Sequence, residues 1–553
     1  MKKLTVMAVL LLALSACDSD PEGGGTVTPP PPPPDPNNTA PTLADQAFST
    51  DEDQPLAETV AADDADGDDL IYSLLVGTGP TNGRLDSFDS VSGDFVYIPN
   101  RDYLGDDSFD VQVDDGRGGI VSATITITIS CPPPQSQCSW DKFDLVDDPD
   151  LQNASDPNIA VDTALRVNVA FVEDNSTAGG TVSDLFVYQT ALTGGTTFSK
   201  TPGSGPNGAL NDTGMAARPD LGSSLIPPTS VTVAWDEGGN IFVETRDDVI
   251  NTDWTDVSGN PNTADSIGAS LTLDPITGAP IVVWNDTSNV LNADVLMATN
   301  TGFIAGTPGA WAPLDAPLDI VPANTAVTPA VTSDDLPGLG ININGRATVA
   351  FAETAGGVSQ ILVRQCTSPG DGQIANCPQL GGALNQDPAT DAISPAIAIP
   401  SLATALLIGE SPGNPQAVVA FVEDGELYVK RYDVATDSWI LLADASSPTG
   451  SLNAAPGVGV AMEPAIAIDV LGRYSVVWAE ANAVTGFQTI FVKRFDAAQG
   501  ISWTALSGAL NCEIDQIASN PDIATDTTGR PYITFQETDP AGDTRIVVLA
   551  FEG

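Results

Sequence analysis

Pro464-Ala465-Ile466-Ala467-Ile468-Asp469-Val470-Leu471-Gly472-Arg473-Tyr474-Ser475-Val476-Val477-Trp478-Ala479-Glu480 holds the plan of most of this chain. A proline leads a short apolar strand, an Asp/Gly turn follows, and a second strand carries an aromatic with an acid two positions later. The second strand recurs as Phe171/Glu173, Trp235/Glu237, Trp284/Asp286, Phe351/Glu353, Phe421/Glu423, Trp478/Glu480 and Phe535/Glu537. The proline recurs at Pro157, Pro219, Pro329, Pro395, Pro464 and Pro521, with Ala269 standing in its place in the third unit. Repeats of several short strands, spaced roughly 50 to 70 residues apart, are the signature of a propeller or an array rather than of a single globular enzyme core.

Three residues after each leading position stand Ala160, Gly222, Thr272, Thr332, Ala398, Ala467 and Ala524, all small. The innermost strands of a propeller crowd its axis, and small side chains are what that geometry selects. The two-residue hairpins Asp424-Gly425 and Gly238-Gly239 set Phe421 opposite Tyr428 and Trp235 opposite Phe242. Such pairs contribute about 0.5 to 1.5 kcal/mol beyond area burial, which marks the aromatics as core between blades. A fourth strand carries Trp254, Trp311, Trp439 or Trp503 in several units. The last unit ends after its third strand, so the 139–153 segment, which begins Ser139-Trp140-Asp141, is expected to supply the fourth and leave no open edge.

Composition narrows the chemistry. Aspartate and glutamate number 73 against 19 lysines and arginines in 553 residues, a formal charge of -54 that excludes nucleic acid as a partner. Solubility and the gathering of cations are both open as its purpose. There is no histidine. Ser-His-Asp and Cys-His mechanisms and histidine-ligated zinc are therefore closed, and carboxylates are the remaining acids and bases.

Lys2 and Lys3 followed by an apolar run from Leu4 to Leu14 predict a signal peptide over residues 1–16, too short to span a bilayer permanently. Leu14-Ser15-Ala16-Cys17 resembles the lipobox of bacterial lipoproteins. The resemblance implies cleavage before Cys17 and a diacylglyceryl group on its sulfur, hence a lipid anchor on the extracytoplasmic side of a bacterial membrane, periplasmic or surface-exposed. Residues 17–38 then form a disordered spacer, stiffened towards polyproline II by Pro29 to Pro34. In an exported chain the later cysteines are expected in disulfides: Cys131 with Cys138 and Cys366 with Cys377, each across a short loop. Cys512 is left over, and its pairing with Cys131 or Cys138 is the alternative.

Residues 39–130 alternate as strands, as in Asp94-Phe95-Val96-Tyr97-Ile98 and Ser122-Ala123-Thr124-Ile125-Thr126-Ile127-Thr128-Ile129, and suit a small antiparallel sandwich. Asp64, Asp66 and Asp68 alternate around Gly67 and form the best metal candidate, because calcium takes six to eight oxygens at about 2.3 to 2.6 Å. A solvated acidic turn is the competing reading. In order, Asn38-Thr39-Ala40-Pro41, Asp64-Ala65-Asp66-Gly67-Asp68-Asp69-Leu70, Gly93-Asp94-Phe95-Val96-Tyr97-Ile98-Pro99 and Gly105-Asp106-Asp107-Ser108-Phe109 resemble the bacterial cadherin-like or Ig-like tandem domains of adhesins. That resemblance, and not the spacing, adds Glu52 and Asp107 as calcium ligands.

Residues 131–553 are similar in plan to secreted bacterial repeat propellers. They hold no Ser-x-Asp-x-Gly-x-x-Trp run and no distinct arginine triad, which disfavours a sialidase. The seven second-strand acids are expected to accept backbone amides, and function is expected in the long loops Gly370 to Gln379 and Ser446 to Val460. The sequence thus predicts an all-β chain: a Pro-rich tether, an Ig/cadherin-like sandwich and a seven-bladed β-propeller. Its expected role is a monomeric, lipid-anchored binding or adhesion protein for a protein or glycan ligand, calcium-stabilised, with no catalytic residues and not an enzyme. One alternative is a carbohydrate-active enzyme, glycosidase or lyase, using pocket carboxylates; another is a structural envelope component. Two carboxylates converging over the axis would mark the enzyme.

Overall fold

The computed structural model describes residues 38–551 except 52–54, 76, 100–104, 131–139, 144–152, 175–182, 191–197, 204–208, 212–214, 224–229, 248–250, 258, 262–264, 275–277, 289–292, 302–308, 315–316, 320–323, 335–345, 368–376, 401–415, 483–485, 497–502, 507–508, 512–516 and 540–541. The expectations for Cys17, Glu52, Cys131, Cys138 and Cys512, and most of the Gly370 to Gln379 loop, lie outside the described residues. Every helix or strand among the described residues is a strand, and the chain divides into two compact units after Ser130.

The first unit is a sandwich. One sheet orders Gln46–Asp51, Ile120–Ser130, Gly105–Asp114 and Ile71–Leu74; the other orders Leu56–Thr59, Asp94–Pro99 and Gly83–Phe88. Gln46–Asp51 runs parallel to Ile120–Ser130, while the remaining pairs are antiparallel. Alternation does what the pattern demands: Ile125, Ile127 and Ile129 are buried with Phe95, Tyr97, Phe109, Val111 and Val113. Phe95 meets both Phe48 and Phe109 edge to face, with ring centroids 5.6 and 5.3 Å apart.

Among the described residues, the second unit forms seven antiparallel sheets in the manner of a β-propeller. Its inner strands are Ala154–Val161, Ala216–Ser223, Ser266–Leu273, Thr325–Asp334, Ala392–Ala398, Gly459–Ile468 and Ile517–Thr525. Each of them touches the next, and the last touches the first. The ring closes as expected: Trp140–Phe143 pairs with Thr544–Phe551, and Trp140 packs on Phe551 at 5.2 Å. Phe421 faces Tyr428 and Trp235 faces Phe242, with centroids 6.1 and 5.5 Å apart. The small residues sit where inner strands approach. A Cβ added to Gly222 would lie 3.0 Å from Leu273 Cγ.

One recurring element goes beyond the sequence reading. Each inner strand carries a bulge in which two residues, the leading proline or Ala269 and the one before it, oppose a single aromatic. The preceding residue has positive φ every time: Asp156 (51°), Arg218 (47°), Gly268 (68°), Thr328 (51°), Ser394 (52°), Glu463 (51°) and Asn520 (50°). A left-handed conformation costs an L-residue about 1–2 kcal/mol, and only one of the seven is glycine. Strain of this kind persists where surrounding structure enforces it, and it gathers at functional sites.

Candidate functional site

The strained bulges gather side chains from successive sheets. Glu463, Asn520, Asp156 and Arg218 occupy the left-handed position in the sixth, seventh, first and second sheets. Asn520 joins two carboxylates: its amide N donates to Glu463 Oε2 at 2.7 Å, and its Nδ2 donates to Asp156 Oδ1 at 2.9 Å. Asp156 also accepts the Arg218 backbone N–H. The Arg218 guanidinium grips Asp236 through Nε at 3.1 Å and Nη2 at 3.3 Å. Burial pushes the Glu463 carboxyl up, the Asn520 backbone N–H opposing the rise and Asp156 adding to it. Burial also pushes Asp156 up, assisted by Asp236 and opposed by Arg218.

Two residues further along the inner strands lies a second layer. Asp522 Oδ2 accepts the Ile159 amide at 2.8 Å, Asn158 Oδ1 accepts Leu221 N at 2.7 Å, and Asp220 Oδ2 accepts Leu271 N at 2.7 Å. Ser270 Oγ accepts Val331 N at 3.3 Å. Each bond ties one inner strand to the next. The corresponding residues in the fourth, fifth and sixth sheets are Ala330, Ala396 and Ala465, which have no side-chain acceptor. Burial raises Asp220 to about 6 and Asp522 to about 7, the charge of Asp220 adding to the latter. Two carboxylates within electrostatic reach, their pKa values pushed towards neutrality, give this histidine-free chain acids and bases suited to pH 7.

Of the seven second-strand acids, Glu423 and Glu480 accept backbone amides of a loop as expected, whereas Glu537 pairs with Arg545 and Glu353 accepts the Asn324 side-chain amide. Glu423 accepts Gln386 N at 2.5 Å and Asp387 N at 2.7 Å. Glu480 accepts Ala454 N at 2.8 Å, Ala455 N at 2.9 Å and Trp478 Nε1 at 2.9 Å. The Ser446 to Val460 loop, expected to carry function, is tied inward: Ser451 Oγ, Thr449 Oγ1 and Gly457 N all donate to Glu426. Divergence between repeats falls at the axis. Its signal was available in the residues on either side of the leading position, which vary while that position is proline in six of the seven units.

In the sandwich, Asp64, Asp66 and Asp68 do come together, with one carboxylate oxygen from each within 4.8 Å of the others. Asp64 Oδ2, Asp68 Oδ2 and Asn38 Oδ1 are buried atoms without a hydrogen-bond partner. Desolvation raises the Asp68 carboxyl, with Asp64, Asp66 and Asp115 adding and Arg117, 2.9 Å away, opposing. Asp107 does not join them. Its oxygens accept Thr81 N (3.0 Å), Asn82 N (3.0 Å), Ser108 N (2.9 Å) and the Tyr97 hydroxyl (2.8 Å). Burial works to raise its pKa, yet those donors outweigh it and the net shift is downward. A carboxylate so engaged anchors a turn, which corrects its expected role as a ligand. The expected Cys366–Cys377 disulfide is present, with S–S 2.04 Å.

Residues 38–131 match the bacterial cadherin-like domain family. No curated protein matches the chain. Among solved structures, the chain is similar to an α-L-arabinanase from Penicillium chrysogenum complexed with arabinobiose, at 10% identity and TM-score 0.35, covering 61% of this chain and 92% of that one. It is similar to an α-L-arabinofuranosidase from Fusarium graminearum at 14% identity and TM-score 0.37, covering 65% and 99%. A Trypanosoma rangeli sialidase in complex with sialic acid is similar at 10% identity and TM-score 0.37, covering 75% and 59%. These likenesses run against the expectation of a non-enzymatic protein, and that expectation is withdrawn. No residue role is carried over from them, so what replaces it rests on the axial residues themselves.

Proposed function

We propose that the propeller unit is a carboxylate-dependent glycoside hydrolase whose active site is the polar arc of its axis. The observation that carries the reading is the Glu463–Asn520–Asp156 constellation: two carboxylates with raised pKa values, bridged by one asparagine, on strained backbone. Glycosidic cleavage by a carboxyl pair needs one member protonated and the other ionised. Glu463 is the acid, since no cation opposes the rise in its pKa. Asp156 is the base or nucleophile, because Arg218, through its backbone N–H and its charge, opposes the rise that burial gives its pKa. Asn520 holds the two apart and fixes their orientation. Asp220 and Asp522 form the layer behind them. The chain charge of -54 favours a neutral glycan over an anionic one. A panel of neutral oligosaccharides, read for reducing-sugar release, tests this: wild type turns over at least one, whereas Asp156→Asn and Glu463→Gln lose about 10²–10⁴-fold in kcat/KM. Equal activity in all three would reject the assignment.

A calcium-stabilised sandwich is a second proposal, favoured by the buried, partnerless oxygens of Asn38, Asp64 and Asp68 beside Asp66. Asp64, Asp66 and Asp68 would hold the ion with Asn38, supplying the hard oxygen ligands that calcium takes. Millimolar calcium is expected to raise the melting temperature of the sandwich transition, and Asp64→Asn/Asp68→Asn to remove that rise. An unchanged transition in wild type would end the idea. We also propose that lipidation at Cys17 tethers the enzyme on the extracytoplasmic side, where a glycan or an adhesive partner is met. Incorporation of labelled fatty acid into wild type and its loss in Cys17→Ala is the check.

A further inference from the structure

A Leu-Asn pair closes several sheets of the propeller in the same way. The amides of Leu210, Leu384, Leu452 and Leu510 donate to the carbonyls of Leu185, Ile361, Leu427 and Ile490, at 2.9, 2.9, 2.8 and 3.0 Å. The following asparagines, Asn211, Asn385, Asn453 and Asn511, accept the amide N–H of those same four residues at 2.7, 3.0, 2.7 and 3.0 Å. Their Nδ2 groups donate to the carbonyls two residues earlier, Ser183, Ser359, Gly425 and Gln488, at 2.9, 3.0, 3.0 and 2.9 Å. Asn385 and Asn453 reach a second carbonyl, that of Thr390 or Gly459. The asparagine is thus a donor plug among backbone oxygens.

The third sheet has the same leucine and a different plug. Leu318 N donates to Val295 O at 2.8 Å, but the next residue is Asp319. An ionised aspartate has no donor, so carboxylate oxygens stand where an amide group would meet carbonyls. Asp319 is 4% exposed. Neither of its carboxylate oxygens has a hydrogen-bond partner in another residue. A buried carboxylate left this way is costly unless a cation meets it. Burial pushes its pKa up, its own backbone N–H and Arg364 opposing the rise and Asp294 and Glu353 adding to it. One guanidinium against three carboxylates leaves an excess of two negative charges.

We propose that Asp319 holds a divalent cation of the calcium class in the place that an asparagine amide fills in four other sheets. Ala293 O, which stands where Ser183, Ser359, Gly425 and Gln488 offer their carbonyls, is the backbone ligand, and Asp294 and Glu353 supply the balancing charge. Carboxylate and carbonyl oxygens and an excess of two charges, left after the Arg364 guanidinium that donates to the Asp319 carbonyl at 3.1 Å, suit a hard divalent ion. The site is separate from the sandwich cluster and from the axial residues.

The test uses the full chain, calcium chloride as the probe, and bound calcium per chain measured by equilibrium dialysis. Asp319→Asn recreates the plug that four other sheets use, so the variant is expected to fold. In the Asp64→Asn/Asp68→Asn background, which leaves the propeller intact, one calcium per chain is expected, and adding Asp319→Asn is expected to remove it. Thermal melts give a second readout: the propeller transition of wild type rises with calcium, and that of Asp319→Asn does not. Zero calcium in the Asp64→Asn/Asp68→Asn variant, or an unchanged stoichiometry after Asp319→Asn, overturns the proposal.

Discussion

The arc of the ring from the seventh sheet through the third and the arc from the fourth through the sixth use one repeat, yet they meet the axis differently. After the leading position stand Asp522, Asn158, Asp220 and Ser270 in the first arc, and Ala330, Ala396 and Ala465 in the second. Between the aromatic and the acid of the second strand stand Gln536, Val172, Asp236 and Asn285 in the first, and Ala352, Val422 and Ala479 in the second. Only Glu463 brings a charge to the axial positions of the alanine arc, and it stands beside the seventh sheet. The alanine arc packs its inner strands without side-chain acceptors at that position, so the ring can close without the carboxylates of the other arc. Groups that a fold does not require, held at raised pKa values, are candidates for chemistry.

The largest expected effect separates the arcs by activity. Asp156→Asn and Glu463→Gln lose about 10²–10⁴-fold in kcat/KM, whereas Ala396→Ser stays within about twofold of wild type. A loss of activity in Ala396→Ser of the same order would dissolve the distinction. A smaller effect separates site from scaffold: Glu480→Ala leaves Ala454 N, Ala455 N and Trp478 Nε1 without their acceptor. The cost is about 2–4 kcal/mol, read as a lower urea midpoint, with KM unchanged.

The smallest effect concerns pH. Asp522 has its folded pKa raised to about 7 from 3.8, so the folded state favours the protonated carboxyl. Below the unfolded value both states are protonated and nothing is lost. As pH rises through the folded value, stability falls. Asp522→Asn keeps an acceptor for Ile159 N, as Asn158 does for Leu221 N. The variant is therefore expected to melt about 2–4 °C above wild type at pH 8 and level with it at pH 4. Equal shifts at both pH values would show that the carboxyl is not strained.

Much of the scaffold was legible because the repeat is made of residues with strong local meaning. Trp478-Ala479-Glu480 marks a strand, Asp469 to Gly472 marks its turn, and Trp140 marks the borrowed fourth strand. Positive φ at Asp156, Thr328 and Glu463 was not legible. Thr and Glu disfavour it, Asp tolerates it without signalling it, and a following proline biases a residue towards extended backbone. The bulge is imposed by the aromatic opposite, which is a tertiary cause. The same holds for Asp319, whose meaning appears only beside Asn211, Asn385, Asn453 and Asn511. In the sandwich, alternate aspartates gave the acidic cluster correctly, while Asp107 was misplaced because its acceptors serve a distant turn at Thr81 and Asn82.

The most direct test is the pH dependence of kcat/KM on the neutral glycan that wild type cleaves, measured for wild type and Glu463→Gln. Because burial holds the Glu463 proton above the usual carboxylate range, wild-type activity is expected to fall as that proton leaves on the alkaline side. The residual activity of Glu463→Gln should lack that limb. A profile of the same shape in both proteins, or no turnover of any neutral glycan by wild type, would contradict an axial active site.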